Sequence, residues 1–326
     1  MISANRLGVM APVLAFVGLV APMPAIGAAP LLYGVQLPGE VVTVDQATAN
    51  ISEIGRLDPG SSLGSNQFSG VRAMAVRPSD QAIFVWNNAT EYVPDVPEGS
   101  GLVQANPLTG QGSLVGSGFT CRSVQAMAFN STDNLYGFSY HIGGGVDGSD
   151  LVQIDPGTGA ISRTIGLVDE NGNTPRILGA DFAPDGRLFA VGSVFLSTAQ
   201  ELYTMDLSTG QATSIGELDL STVTPLMRNP DVESIAFDPS GQLIGSWYDT
   251  GGGVTETNGG LFDIDAVTGA VSNGRVTNPL ITRLDGLGFV GPIPEPETYA
   301  MFLTGLGLMG FMVRRKAAAA KLFTIV

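Results

Sequence analysis

"LVQIDPGTGAISRTIG", residues 151–166, recurs along the chain as "LYTMDLSTGQATSIG" (202–216) and "LFDIDAVTGAVSNG" (261–274), and more loosely as "LVQANPLTGQGSLVG" (102–116) and "VVTVDQATANISEIG" (41–55). Each copy is an alternating apolar run, an Asp-x-x-Thr-Gly-like turn and a second short run. Period-two alternation predicts half-buried strands. The Asp or Asn side chain can accept hydrogen bonds from backbone N–H groups two or three residues on, and Gly takes the positive φ that closes the hairpin. That gives Asp155, Asp206 and Asp265 a structural task, although their carboxylates also invite a calcium reading.

A second hairpin lies between these copies: "AMAVRPSDQAIFVW" (73–86), "AMAFNSTDNLYGF" (126–138), "ADFAPDGRLFAV" (180–191) and "SIAFDPSGQLIGSW" (234–247). They align through Val76, Phe129, Phe182 and Phe237, and "GLGFVG" adds Phe289, giving spacings of 53, 53, 55 and 52 residues. Four strands per period of that length predict an all-β fold, a β-propeller. The last copy lacks its partner strand, and "LLYGV" (31–35) matches "NLYGF" (134–138), so the first and last strands are expected to share one blade. The reading is five four-stranded blades over residues 31–291. Two successive β-domains would leave this complementarity unused.

Composition agrees: charged residues are 14 %, with 44 Gly and 20 Pro, which favours short strands and many turns. Net charge is −15. Between residues 31 and 290, 28 acids face ten arginines, so the body carries −18 and repels phosphate backbones. Nucleic acid is therefore excluded as a partner. Cys121 is the single cysteine, which rules out a disulfide framework. At the N-terminus, Arg6, the apolar run 9–20 and the small residues 25–29 read as a signal peptide over 1–28, cut by signal peptidase.

The chain ends "PEPETYAMFLTGLGLMGFMVRRK" (294–316) and ten further residues. Pro294-Glu295-Pro296, the apolar run 299–313 and Arg314-Arg315-Lys316 stand in the order of a tripartite sorting signal. The segment resembles the PEP-CTERM signal of Gram-negative bacteria. The basic cluster holds the end of the helix in the cytoplasm. The resemblance implies recognition by an exosortase, a transpeptidase-like membrane enzyme, which releases or transfers the protein towards the cell surface or exopolysaccharide matrix. The run is short for a bilayer of roughly 30 Å. The transmembrane helix at 299–313, within a sorting region 292–326, is thus expected to anchor the protein in the inner membrane only before processing.

Turns between strands A and B and between C and D of each blade are short and alike. The B–C connections (87–100, 139–150, 248–260) and D–A connections (56–71, 167–178, 217–232) differ in every repeat, and that face is the expected site. Its rim offers Trp86, Asn87, Asn88, Tyr92, Tyr140, His141, Asp147, Trp247, Tyr248 and Asp249, aromatics beside polar groups that suit stacking on sugars. The competing reading buries Trp86 and Trp247 between blades. A second group, Arg72, Gln125, Leu178, Glu233 and Asp285, lies four residues before each aligned position and predicts a ring at one mouth of the axial channel. It suits a small polar ligand or a cation, or else a self-neutralising plug.

Catalytic constellations are thin. His141 is the only histidine, which excludes histidine-rich zinc sites. "DENGN" (169–173) starts like a calcium loop, but Thr174 and Ala180 replace the Gly and Glu it requires. No cofactor is expected, with a looser Ca²⁺ site as the alternative. The function expected is binding or structural, toward exopolysaccharide or a surface protein, rather than enzymatic. The alternative is a hydrolase or lyase using the channel carboxylates Glu233 and Asp285.

Overall fold

The structure, a computed structural model, describes residues 30–37, 39–57, 70–88, 101–116, 123–143, 146–194, 197–223, 230–249, 259–277 and 283–291. The signal peptide, the sorting region, Cys121 and Tyr92 lie outside these residues, as does the side chain of Asp147. Among the described residues, no helix is long and apolar enough to cross a membrane.

Five antiparallel sheets stand around one axis. β1 (Leu31–Gln36), β2 (Glu40–Val44) and β3 (Ile51–Arg56) belong to the closing blade. Blade 1 follows as β4 (Val71–Val76), β5 (Ile83–Asn87), β6 (Gly101–Ala105) and β7 (Gly112–Leu114), and blade 2 as β8 (Ser123–Phe129), β9 (Leu135–Gly143), β10 (Val146–Ile154) and β11 (Ile161–Gly166). Blade 3 holds β13 (Pro175–Phe182), β14 (Leu188–Val194), β15 (Glu201–Met205) and β16 (Gln211–Glu217), with the short β12 (Val168–Asp169) added in parallel beyond β16. Blade 4 is β17 (Pro230–Phe237), β18 (Leu243–Asp249), β19 (Gly259–Ile264) and β20 (Val271–Val276). The last strand, β21 (Leu284–Val290), pairs with β1, giving the sheet order β21-β1-β2-β3. The shared blade therefore exists as the repeat arithmetic required. The innermost strands β4, β8, β13, β17 and β21 each contact two neighbours, which closes the ring.

Five apolar clusters fill the five seams between blades. Aromatic pairs cross three of them: Phe84 with Phe129, Tyr136 with Phe182, and Phe189 with Phe237, with centroids 5.3, 5.7 and 5.2 Å apart. The aligned positions Val76, Phe129, Phe182, Phe237 and Phe289 all line a cavity of about 390 Å³ at the A–B-turn end of the channel, together with Gln81, Asp181 and Asp238. Polar side chains also tie one blade to the backbone of the next. Asn88 exchanges two hydrogen bonds with Val124, Ser149 Oγ accepts from Ile177 N, and Gln200 Oε1 accepts from Val232 N. Ser234 Oγ accepts from Leu287 N, and Gln81 Oε1 accepts from Gly291 N across the closing seam.

The Asp-x-x-Thr-Gly turns are self-contained. Asp155 Oδ1 accepts from Gly157 N at 2.8 Å and Thr158 N at 3.2 Å, and Thr158 Oγ1 accepts from Ala160 N at 3.4 Å. Asp45, Asn106, Asp206 and Asp265 repeat the pattern. Each Gly also meets the preceding blade: a Cβ on Gly210 (φ +77°) would stand 2.4 Å from Gly166 O, and one on Gly110 would stand 2.7 Å from Gly55 O. The closing glycines Gly55, Gly116 and Gly216 thus make room for the next blade's turn, whereas Gly274 packs on Val223.

Two expected connections differ. Residues 139–150 are not a loop: the β9–β10 ladder runs on to Gly143 and Val146, because Tyr140, His141 and Ile142 continue the alternation and pair with Ser149, Gly148 and Asp147. The segment 167–178 is shorter as a connection than expected, since Asp169 turns the chain at once. Its Oδ1 accepts from Asn171 N and Asn173 N, and its Oδ2 accepts from Asn173 Nδ2. Both oxygens of the residue that opens the calcium-like stretch are therefore engaged within its own turn.

Candidate functional site

Each of the five predicted ring positions is the extra residue of a β-bulge, one per blade. Val71 and Ala73 face Asn87 and Trp86, so Arg72 is the extra residue. In the same way Gln125 is skipped in β8, Leu178 in β13, Glu233 in β17 and Asp285 in β21. A bulge leaves one residue out of the ladder and re-aims its side chain. Here it brings Arg72, Glu233 and Asp285 together from three blades, with Gln125 bonded to Arg176 beside them, near the ends of the innermost strands where the variable connections enter.

These side chains meet. Arg283, just before β21, places Nη2 2.6 Å from Glu233 Oε2 and Nε 2.6 Å from Asp285 Oδ1. Arg72 Nη1 lies 3.6 Å from Asp285 Oδ1, with the Arg72 side chain 36 % exposed and the Asp285 side chain 1 %. Across the mouth, Arg176 Nε donates to Gln125 Oε1 at 3.2 Å. Arg176 also lies over the Tyr140 ring at 5.0 Å, and Arg283 lies 6.0 Å from the Tyr248 ring centroid. Asp231, two residues before Glu233, receives a long contact from Gln200 Nε2 at 3.5 Å.

Burial dominates the ionisation of this cluster. It pushes Glu233 up to about 7 and Asp285 up to about 6, against the opposing pull of Arg283. Burial likewise lowers Arg72 from its ordinary value, helped by repulsion from Arg283 and Arg176. Both Asp285 oxygens and Arg283 Nε are buried without a hydrogen bond, Oδ1 and Nε being held as an ion pair while Oδ2 faces no charge partner of its own among the described residues. Among the described residues, no group of three or more His, Cys, Asp or Glu side chains is arranged to hold a metal ion.

Three arginine and acid positions escaped the sequence reading: Arg176, Arg283 and Asp231. Their signal was present, because each stands two residues before a ring position and two residues is the period of one strand face. Leu178 is the one apolar ring member, and half-buried.

The rim divides. Tyr140 and Tyr248 are half-buried beside Arg176 and Arg283, as a shared mouth requires. His141, its neighbour in the alternation, turns instead to Asp150, Nδ1 to Oδ2 3.7 Å. Trp86 and Trp247 correct the sugar-stacking expectation: they are 0 % and 1 % exposed. Trp86 packs with blade 2 and Trp247 with blade 3, on opposite faces of their own sheets. Relative to the strand pairing, Trp86 is three residues beyond Ile83 and Trp247 four beyond Leu243, and one residue of offset changes the face. Asn87 and Asn88 are also buried: Asn87 Oδ1 accepts from Gly70 N within its own blade, and Asn88 ties blade 1 to Val124 of blade 2.

The PEP-CTERM protein-sorting motif matches residues 292–316. No curated protein matches the chain. Among solved structures, a GH43 beta-1,3-galactosidase is similar at 10 % identity and a TM-score of 0.50, covering 76 % of this chain and 55 % of that one. An exo-beta-1,3-galactanase from Clostridium thermocellum follows at 10 % identity and a TM-score of 0.49, covering 74 % and 53 %. A protein of unknown function from Bacteroides caccae is 11 % identical, with a TM-score of 0.45 and coverage of 81 % and 99 %. The chain thus spans about half the length of the two glycosidases. At such identities the likeness is one of fold alone. The chain is a five-bladed propeller carrying an exosortase sorting motif, which implies export and exosortase processing.

Proposed function

We propose that this exported propeller is delivered by signal peptidase and exosortase to the surface or matrix of a Gram-negative cell. There it binds exopolysaccharide or a surface protein through the variable-face mouth of its channel. The observation that carries the reading is the ring of five bulges, which gathers Arg72, Gln125, Glu233 and Asp285 at one mouth beside Arg176 and Arg283. This cluster keeps a half-buried Arg72 whose one ion-pair contact is long. Neutralising that charge with Arg72→Gln is expected to weaken binding of the full chain to the native polysaccharide or surface fraction strongly, with the melting temperature little changed. Undiminished binding would move the site elsewhere. Intact-mass analysis tests delivery: loss of the first 27 or 28 residues and of the chain beyond the Pro-Glu-Pro box is expected. Full-length protein confined to the inner membrane would overturn it.

A second reading, a hydrolase or lyase, is favoured by one observation: burial raises Glu233 and Asp285 to about 7 and 6, where carboxyls serve as acid and base. Arg283 stands against it, because its guanidinium engages both carboxylates. New reducing ends released from the native polysaccharide, and lost in Glu233→Gln, would establish the enzyme.

A further inference from the structure

We infer that the mouth is built for an acidic sugar, a uronic acid residue whose carboxylate meets Arg72 and Arg176 and whose hydroxyl meets Asp285. This rests on the binding reading above and names its ligand class. The unmet hydrogen-bonding capacity of the cluster dictates the chemistry. Arg283 is consumed by Glu233 and Asp285. Arg72 and Arg176 are not: among the described residues, Arg72 makes no hydrogen bond, and only Nε of Arg176 donates. Two guanidiniums with open N–H groups call for an oxyanion, and a planar carboxylate accepts from such forks in pairs. Their mutual repulsion contributes to holding Arg72 below its ordinary pKa, and an anion between them would relieve it.

The opposite need stands beside them. Asp285 Oδ2 is buried and accepts nothing, so it calls for a donor. A group that brings a carboxylate and a hydroxyl on one rigid frame satisfies both needs, whereas a neutral sugar leaves the arginines unmet and a bare anion leaves Asp285 unmet. Tyr140 and Tyr248 flank the same mouth and give a pyranose ring apolar edges to lie against. The surroundings sharpen the selection. In a body with 28 acids and ten arginines, three of those arginines converge here against Glu233, Asp285 and Asp231, so the mouth is charge-balanced where the rest of the surface repels anions.

Titration calorimetry of the full chain with galacturonate, galacturonate trimer, galactose and acetate tests the assignment. Galacturonate should bind, and galactose and acetate should bind at least tenfold more weakly. Trimer tighter than monomer identifies a polymer end as the source, and equal affinity identifies the free acid. Both keep the assignment. Arg72→Gln and Arg176→Gln should each weaken galacturonate at least tenfold at unchanged melting temperature. Arg72→Lys, which keeps the charge and loses the fork, should fall between. Galactose or acetate binding as well as galacturonate overturns the acidic-sugar assignment. So does failure of galacturonate to compete with native polysaccharide whose binding still depends on Arg72, while the binding reading itself survives. If a Gln variant does not fold, the comparison of galacturonate with galactose and acetate on the parent chain decides alone.

Discussion

Trp247 shows what one residue of register decides. As an aromatic near the end of its strand it reads equally well as a sugar platform or as filling between blades, and it is 1 % exposed in the seam between blades 3 and 4. Truncating it to Ala is expected to cost about 3–5 kcal/mol, read from denaturant unfolding. Its indole Nε1 is buried without a partner, so Trp247→Phe should cost much less than Ala. A Phe variant as damaging as Ala would show that the indole is bonded after all. Glu233 gives the second test at this scale. Its pKa rises from 4.5 in the unfolded reference to about 7 on folding, so the folded chain binds more protons between those values. The contribution is therefore full below about pH 4.5 and is lost as pH rises through about 7. Glu233→Gln imitates the protonated form. Thermal melts should coincide with the parent near pH 4 and lie above it near pH 8, and parallel profiles would refute the shift. Exposed Asp206, held down to about 2 by its turn hydrogen bonds, acts in the opposite sense, losing its contribution only as pH falls toward that value.

Hairpins and their turns were legible because both signals are local. Asp-x-x-Thr-Gly states its own hydrogen bonds, and alternation states its own strands. Closing glycines end every copy, yet for Gly55, Gly116 and Gly216 the reason lies in the next blade's turn, which no local pattern describes. Gly210 and Gly186 separate these effects. Both have positive φ, +77° and +87°, but a Cβ on Gly186 would meet nothing within 4 Å, whereas one on Gly210 would strike Gly166 O at 2.4 Å. Gly186→Ala should cost only the left-handed backbone penalty of about 1–2 kcal/mol. Gly210→Ala should cost clearly more in the same unfolding measurement, because the seam must open. Equal costs would mean that the blades yield at their outer edges. The bulges follow the same division: spacing from the aligned aromatics located Arg72, Gln125, Glu233 and Asp285, but a ladder slip leaves no mark in a sequence. Arg176 and Arg283 stand two residues before ring positions, but their pairing with Gln125 and Glu233 of other blades is not written in the local pattern.

At the scale of the molecule, closure and site are one structure. β1 lies between β21 and β2, pairing Leu31 with Val290 at one end and Gln36 with Leu284 at the other. The closing seam also holds the tie from Gly291 N to Gln81, 210 residues apart in sequence. Deleting 31–35 would strip β21 of its only in-sheet partner and expose an unpaired edge beside four intact blades. A large fall in melting temperature and aggregation are expected, followed by calorimetry and size-exclusion chromatography. A second consequence is specific to this ring. The bulge that turns Asp285 into the channel exists only because Val35 faces Gly286 while Gln36 faces Leu284. Without β1, Asp285 and the Arg283 it engages lose their frame, so ligand binding at the mouth should vanish even at temperatures where the remaining blades stay folded. Supplying residues 30–37 as a separate peptide should restore both melting and binding if strand pairing is the cause. Recovery of melting without binding would separate the two, and a deletion variant as stable as the parent would show that the ring does not depend on its shared blade.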